Sequence, residues 1–210
     1  MAQITAAMVK ELREMTGAGP LDCKKALEEV DGDLQKAAEL LREKGIAKAQ
    51  KKLGKGRTMN EGVVEVYQHF NKRLAVIVEV NCETDFVANT DQFQSFAKDV
   101  ALHISSMRPR YVSREDVPAE VLDYERGIQL RAEDLEGKPD NIKEKIVEGR
   151  LDKWFKDIVL MEQEFLKDDS KTINQLLEET VAAIGESVQI SRFAVFALGE
   201  DEEEETGEEE

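Results

Sequence analysis

Leu74-Ala75-Val76-Ile77-Val78-Glu79-Val80 runs straight into Asn81-Cys82-Glu83-Thr84-Asp85-Phe86-Val87-Ala88. The first part is apolar at nearly every position, which suits a central strand. Beyond Thr90, Phe93, Phe96, Ala97, Val100, Ala101 and Ile104 recur at helical spacing as far as Met107 and predict an amphipathic helix. Thr84 to Val87 therefore falls on a strand-to-helix corner. Such a corner offers Phe86 two places. It can turn inward while Asp85 helps cap the helix, the ordinary fate of a large apolar residue and the one the residues alone favour. Or the corner can lift the ring and its neighbouring acid to the surface.

Working outward, Gly62 to Phe70 and Arg73 to Val80 read as a hairpin, with Asn71-Lys72 as a two-residue turn. In its first strand Val64, Val66 and Phe70 alternate with Glu65, Tyr67 and His69, which places the three apolar residues inward, although Gln68 interrupts the pattern. Val188 to Leu198 supplies a third strand from the far end of the chain. Thr172 to Ile184 reads as a second core helix, with Ile173, Leu176, Leu177, Val181 and Ile184. Pro118 to Glu136 and Asn141 to Asp157 carry apolar stripes on either side of Gly137-Lys138-Pro139. They predict an antiparallel helical hairpin over residues 115–157. Gly149 inside it costs roughly 1 kcal/mol against alanine and is read as a close helix contact.

Residues 1–45 read as three short helices. Thr5 caps the first, Met8, Val9, Leu12 and Met15 line it, and Gly17 stops it. Pro20 opens the second, with Asp22 near its positive end. Asp31-Gly32-Asp33 turns into the third, which carries Leu34, Ala37, Ala38 and Leu41 and ends at Gly45. Residues 46–61 read as a basic linker, within a run from Lys44 to Arg57 of six bases (Lys44, Lys48, Lys51, Lys52, Lys55, Arg57) and no acid. No aromatics interleave there for base stacking. Residues 62–198 form a core unit containing the hairpin, and 199–210 an acidic tail predicted to be disordered. The fold class is α+β: a three-helix bundle, then an antiparallel three-stranded sheet with packed helices and a protruding helical hairpin.

The 210 residues are 41% hydrophobic with net charge −16. Nine acids lie in Glu200–Glu210; without them the rest stands at −7. That balance argues against direct nucleic-acid binding. Cys23 and Cys82 have no metal-like spacing and suggest neither a disulfide framework nor an oxidising compartment. No leader-like or membrane-spanning stretch is visible, so the expectation is a cytoplasmic protein that binds no membrane. No catalytic triad, metal spacing or dinucleotide fingerprint is found. The expectation is no enzyme, no catalytic or metal-binding residues and no cofactor, but binding that changes another protein.

Two stretches together resemble the translation elongation factor Ts family: Glu79 to Ala88, and Leu12-Arg13-Glu14-Met15-Thr16-Gly17-Ala18-Gly19 followed by Asp22-Cys23-Lys24-Lys25-Ala26-Leu27. Glu148-Gly149-Arg150 and Gly185-Glu186-Ser187-Val188 with Arg192-Phe193 extend the likeness to about Leu198. The resemblance implies a guanine nucleotide-exchange factor for the GTPase elongation factor Tu. It makes Asp85 and Phe86 an intruding pair that disturbs the GTPase's magnesium-phosphate site, with Thr84 and Val87 holding the corner. It likens residues 1–45 to a ubiquitin-associated domain and places Arg13, Pro20, Leu21 and Lys24 against a helix of the partner. Pro20-Leu21 stands where the family commonly shows two methionines, which implies a stiffer contact. Only one hairpin-plus-return-strand unit fits here, as in the short family members that pair as homodimers. Ala194 stands where a cysteine could have bridged two subunits, so no disulfide is expected there. The rival reading is a non-catalytic scaffold that binds helices or nascent chains.

Overall fold

The structure is a computed structural model that describes residues 4–16, 18–53 and 59–200, with 46–53 described by backbone alone. The helix stop expected at Gly17, the end of the basic run at Lys55 and Arg57, and the acidic tail beyond Glu200 lie outside the described residues.

Three helices come first: α1 (Ala6–Thr16), α2 (Pro20–Glu29) and α3 (Leu34–Leu53). Thr5 Oγ1 accepts the Met8 N–H at 3.3 Å, and Asp33 Oδ1 accepts the Lys36 N–H at 3.1 Å. Both satisfy donors that a helix start leaves unpaired. Pro20 occupies the first turn of α2, where its missing N–H removes no helical bond. Leu12, Cys23, Ala26, Leu27 and Ala37 are buried between the three helices. Met15 differs from its expected place and is exposed. α3 also differs, running through Gly45 to Leu53. A Cβ at Gly45 would lie 3.2 Å from the Ala182 Cβ, so this glycine permits a close helix–helix approach and is no stop.

The main sheet has β1 (Glu61–Gln68), β2 (Leu74–Cys82) and β5 (Val188–Ala197), antiparallel in the order β1-β2-β5. The apolar run is thus the central strand. Val76, Val78, Val80 and Cys82 point into the core. β1 faces opposite to expectation: Val63 and Tyr67 pack on the core, while Val64 and Val66 face out. Val63, Val64 and Val66 give both faces of this strand an apolar residue, so alternation alone left the register undetermined. Gly62 fixes it: its φ is 149° and a Cβ there would lie 2.1 Å from the Val80 carbonyl oxygen, so the strands meet only at glycine. The turn is longer than two residues. The His69 N–H donates to the Leu74 carbonyl at 2.9 Å, enclosing Phe70–Arg73, with Lys72 left-handed at φ 59°.

After β2 come α4 (Asp85–Ala88) and α5 (Asp91–Met107). α8 (Ile173–Ile184) joins α5 over the sheet's inner face, where Phe93, Phe96, Val100, Ile104, Ile173 and Val181 are buried. α6 (Ala119–Leu130) and α7 (Asp140–Ile158) form the helical hairpin and enclose their own cluster of Leu135, Val147, Leu151 and Phe155. At its base the Arg114 guanidinium lies over the Phe155 ring, 4.3 Å from its centroid, and pairs with Glu162 and Asp152. A Cβ on Gly149 would meet nothing within 4 Å, so the close contact expected there is not made among the described residues. β3 (Glu164–Phe165) and β4 (Asp168–Thr172) form a second small hairpin that the sequence did not signal. Among the described residues no helix is long and apolar enough to cross a membrane.

Candidate partner-binding corner

Thr84 ends the extended run from β2 with φ −136° and ψ 152°, and its Oγ1 accepts the Val87 N–H at 3.4 Å. That cap starts the single turn of α4. Asn89 Nδ2 donates to the Asp85 carbonyl at 2.8 Å, and Thr90 Oγ1 donates to the Val87 carbonyl at 2.8 Å. Thr90 Oγ1 also accepts the Phe93 N–H at 3.3 Å and so caps α5. Two threonine caps within seven residues thus turn the chain from strand to core helix.

A helical turn spaces residues about 100° apart, so four of them cannot all face inward. Val87 and Ala88 take the inner side and are 8% and 6% exposed. Asp85 and Phe86 take the outer side, and Phe86 is 82% exposed. The inward position that the residues alone favoured for Phe86 is therefore not the one adopted. Leaving this ring in water forgoes about 1.5–3 kcal/mol of burial.

The corner is also tied to a distant segment. Thr84 Oγ1 lies 3.1 and 3.0 Å from the two carboxylate oxygens of Glu186. Glu83 Oε1 accepts the Ser187 N–H at 3.0 Å and the Ser187 hydroxyl at 2.7 Å. Cys82 donates its thiol hydrogen to the Thr84 carbonyl at 3.1 Å. Burial raises the Cys82 pKa, and the Glu186 charge adds to that, so the thiol remains a donor. Glu83, Glu186 and Ser187 went unassigned at the level of sequence. Glu83 fell within Glu79 to Ala88 and the other two within Gly185-Glu186-Ser187-Val188, stretches that carried the family likeness without a role for these side chains.

Arg13 lies in the last turn of α1, and Pro20, Leu21 and Lys24 lie at the start of α2. All four are exposed at the same end of the helical unit, and Lys24 sits 3.8 Å from Glu28. α8 stands between this unit and the corner. Its Glu179 pairs with Arg42 of α3 at 2.6 Å, and its left-handed C-cap Gly185 leads directly to Glu186. His103 has a structural place: its Nδ1 accepts the Leu166 N–H at 3.2 Å and its Nε2 faces Gln163 Oε1 at 3.0 Å. Among the described residues no group of three or more His, Cys, Asp or Glu is placed to hold a metal ion.

A rigidly capped, outward-facing acid–aromatic pair on a small α+β core, flanked by a helical unit with exposed cationic and apolar residues, is the equipment of a protein-binding factor. The profile of the family described as Elongation factor TS matches residues 2–200. Elongation factor Ts of Carboxydothermus hydrogenoformans is 58% identical over 198 residues, covering 94% of this chain and 90% of that protein. Its counterpart in Desulfitobacterium hafniense is 56% identical over 201 residues, covering 95% and 91%. That of Geobacter sulfurreducens is 54% identical over 197 residues, covering 94% and 90%. The chain belongs to the elongation factor Ts family.

Proposed function

We propose that this chain is a guanine nucleotide-exchange factor that binds the GTPase elongation factor Tu and promotes GDP release during translation elongation. One observation carries the reading beyond family membership: Phe86 stands in water beside exposed Asp85, on a capped corner whose Val87 and Ala88 are buried. In this reading Phe86 wedges into an apolar cleft between helices of the GTPase and shifts the elements that hold its magnesium. Asp85 fixes the wedge by polar contacts and competes for the protein ligands of that metal. Thr84 and Val87 hold the corner. Arg13, Pro20, Leu21 and Lys24 grip a helix of the nucleotide-binding domain. The activity involves no covalent step in this chain.

Magnitudes set what the wedge must do. A nucleotide held at nanomolar affinity is bound by about 12 kcal/mol. Weakening it ten-thousandfold requires about 5.5 kcal/mol of preference for the emptied partner, and linkage makes that preference mutual. One buried phenylalanine supplies about 1.5–3 kcal/mol, so the bundle contacts and the disturbed metal site must supply the rest. The same reading has the chain work as a homodimer, paired through the outer face of the three-stranded sheet.

The test is release of labelled GDP from elongation factor Tu. Phe86→Ala is expected to keep its melting temperature, because the ring contacts little of its own chain, and to lose most of the acceleration. A folded Phe86→Ala that accelerates release normally defeats the assignment. Tight binding by the parent chain without any stimulation of release favours the scaffold reading instead.

A further inference from the structure

Two contacts bridge more than a hundred positions of sequence to reach the corner. Thr84 Oγ1 has one hydrogen to give. An oxygen lone pair is already engaged by the Val87 N–H, and the hydrogen goes to the Glu186 carboxylate, 3.0–3.1 Å away. One residue earlier, Glu83 is held by both the N–H and the hydroxyl of buried Ser187. These ties join the end of β2 to the start of β5, where Cys82 pairs with Val188. α4 is a single turn of four residues, and so short a helix has no stability of its own. Its orientation, and with it the direction of Phe86, depends on what holds Thr84.

We propose that Glu186 is a positioning residue for nucleotide exchange. By accepting from Thr84, with the Glu83–Ser187 tie beside it, it fixes α4 at the angle that presents Phe86 and Asp85 to the partner. This rests on the exchange-factor reading above. Glu186 follows directly on Gly185, the left-handed end of α8, and α8 is braced on α3 through Glu179–Arg42 and the Ala182–Gly45 approach. The corner and the helical unit bearing Arg13 and Lys24 therefore share one mount. A surface glutamate that merely solvates the fold would have no reason to place both carboxylate oxygens on one threonine hydroxyl.

The experiment measures single-turnover release of fluorescent GDP from elongation factor Tu against exchange-factor concentration. The proteins are the parent chain, Glu186→Ala, Glu186→Gln, Thr84→Val, the double variant Thr84→Val/Glu186→Ala, and Phe86→Ala. Losing a hydrogen bond to a charged group predicts a maximal release rate about tenfold lower in Glu186→Ala. The half-saturating concentration should change little. Glu186→Gln, whose amide oxygen still accepts from Thr84, should recover most of the rate. Glu186→Ala should add little in the Thr84→Val background, because the Thr84–Glu186 bond is already gone there. Hydrogen exchange should show faster loss at the Val87 and Ala88 amides of Glu186→Ala with α5 unchanged. The proposal is overturned by any of four results: an unaltered rate, a Gln variant as slow as Ala, additive losses with Thr84→Val, or global unfolding of Glu186→Ala, which would make Glu186 a residue of the fold alone. Phe86→Ala separates the two claims. If it releases GDP normally, the wedge itself fails; if it is inactive while Glu186→Ala is normal, only the positioning role fails.

Discussion

His103 has no exposed surface, and its protonation state is dictated by what surrounds it. The Leu166 N–H points at Nδ1, so that nitrogen must accept, and the ring hydrogen sits on Nε2 toward Gln163 Oε1. Gln163 is aimed in turn, its Nε2 donating to the Asp157 carbonyl at 2.8 Å. Protonating Nδ1 would set two hydrogens against each other in a dry site. Desolvation accordingly lowers the His103 pKa below its ordinary 6.5, against a smaller opposing effect of the Gln163 bond. Where the folded form binds its proton less readily than the unfolded chain, acid favours unfolding. The contribution of His103 to stability is thus complete above 6.5 and is lost as pH falls through that value toward the folded pKa. His103→Asn, which keeps an acceptor near Nδ1, should melt lower than the parent chain at neutral pH. Its melting temperature should also fall less on acidification to about pH 5.5. Thermal denaturation followed by circular dichroism at a series of pH values checks both. Equal pH slopes in the two proteins would contradict this account of the site.

Two helix glycines show what kind of information a sequence withholds. Gly45 and Gly149 both sit inside helices. One read as a stop and the other as a close contact, and the structure gives neither that place. Gly45 lies against Ala182, while Gly149 has open space where a side chain would stand. The difference lies in partners far along the chain, which local periodicity does not encode. Gly149→Ala should therefore add about 0.5–1 kcal/mol of stability, since it gains helix propensity and meets no obstacle. Urea unfolding measures it, and a loss of stability would show that the space is not free. Elements whose signal is local were legible. α5 and α8 carried long apolar periodicities, and both emerged where expected, each with a threonine N-cap, Thr90 and Thr172. β2 was legible because it is apolar at almost every position, with Val76, Val78 and Val80 on the core face and Ile77 on the outer one. β1 was legible as a strand but not in its facing, because its valines suit either face until Gly62 meets Val80. β3 and β4 are too short for alternation to register. At the corner, the strand-to-helix turn and the Asp85-Phe86 pair could be read locally, while the capping falls to Thr84 and Thr90 and not to Asp85. The outward turn of Phe86 could not, since it follows from Val87 and Ala88 having taken the inner side. The Glu186 and Ser187 ties join segments that sequence order keeps far apart.

Among the described residues the sheet is covered on one face and bare on the other. Antiparallel sheets with one wet face normally alternate apolar-in with polar-out. Here the outer face carries Val64 and Val66 on β1, Ile77 on β2 and Phe196 on β5, which are 64%, 56%, 38% and 60% exposed. The register joins them: Val66 lies opposite Ile77, Ile77 opposite Ala194, and Phe196 opposite Ala75. The Glu79–Arg192 pair borders this patch at 2.7 Å, and that bond holds the Glu79 carboxyl below its ordinary pKa. A contiguous apolar surface of this kind is rare on a lone chain, and a two-fold axis lets one patch cover its own copy. The proposed homodimer is therefore expected to use this face, with small Ala194 near its middle allowing the two sheets to approach. Charging it should separate the subunits without disturbing the core, because these side chains point away from it. Val66→Lys/Ile77→Lys is expected to give the monomer mass by light scattering at micromolar concentration, and the parent chain is expected to give that of the dimer. Mass action adds a second readout. The melting temperature of the parent chain should rise with protein concentration, and that of the double variant should not. A parent chain that scatters as a monomer, with a concentration-independent melting temperature, would refute the dimer and leave the apolar outer face without a cover.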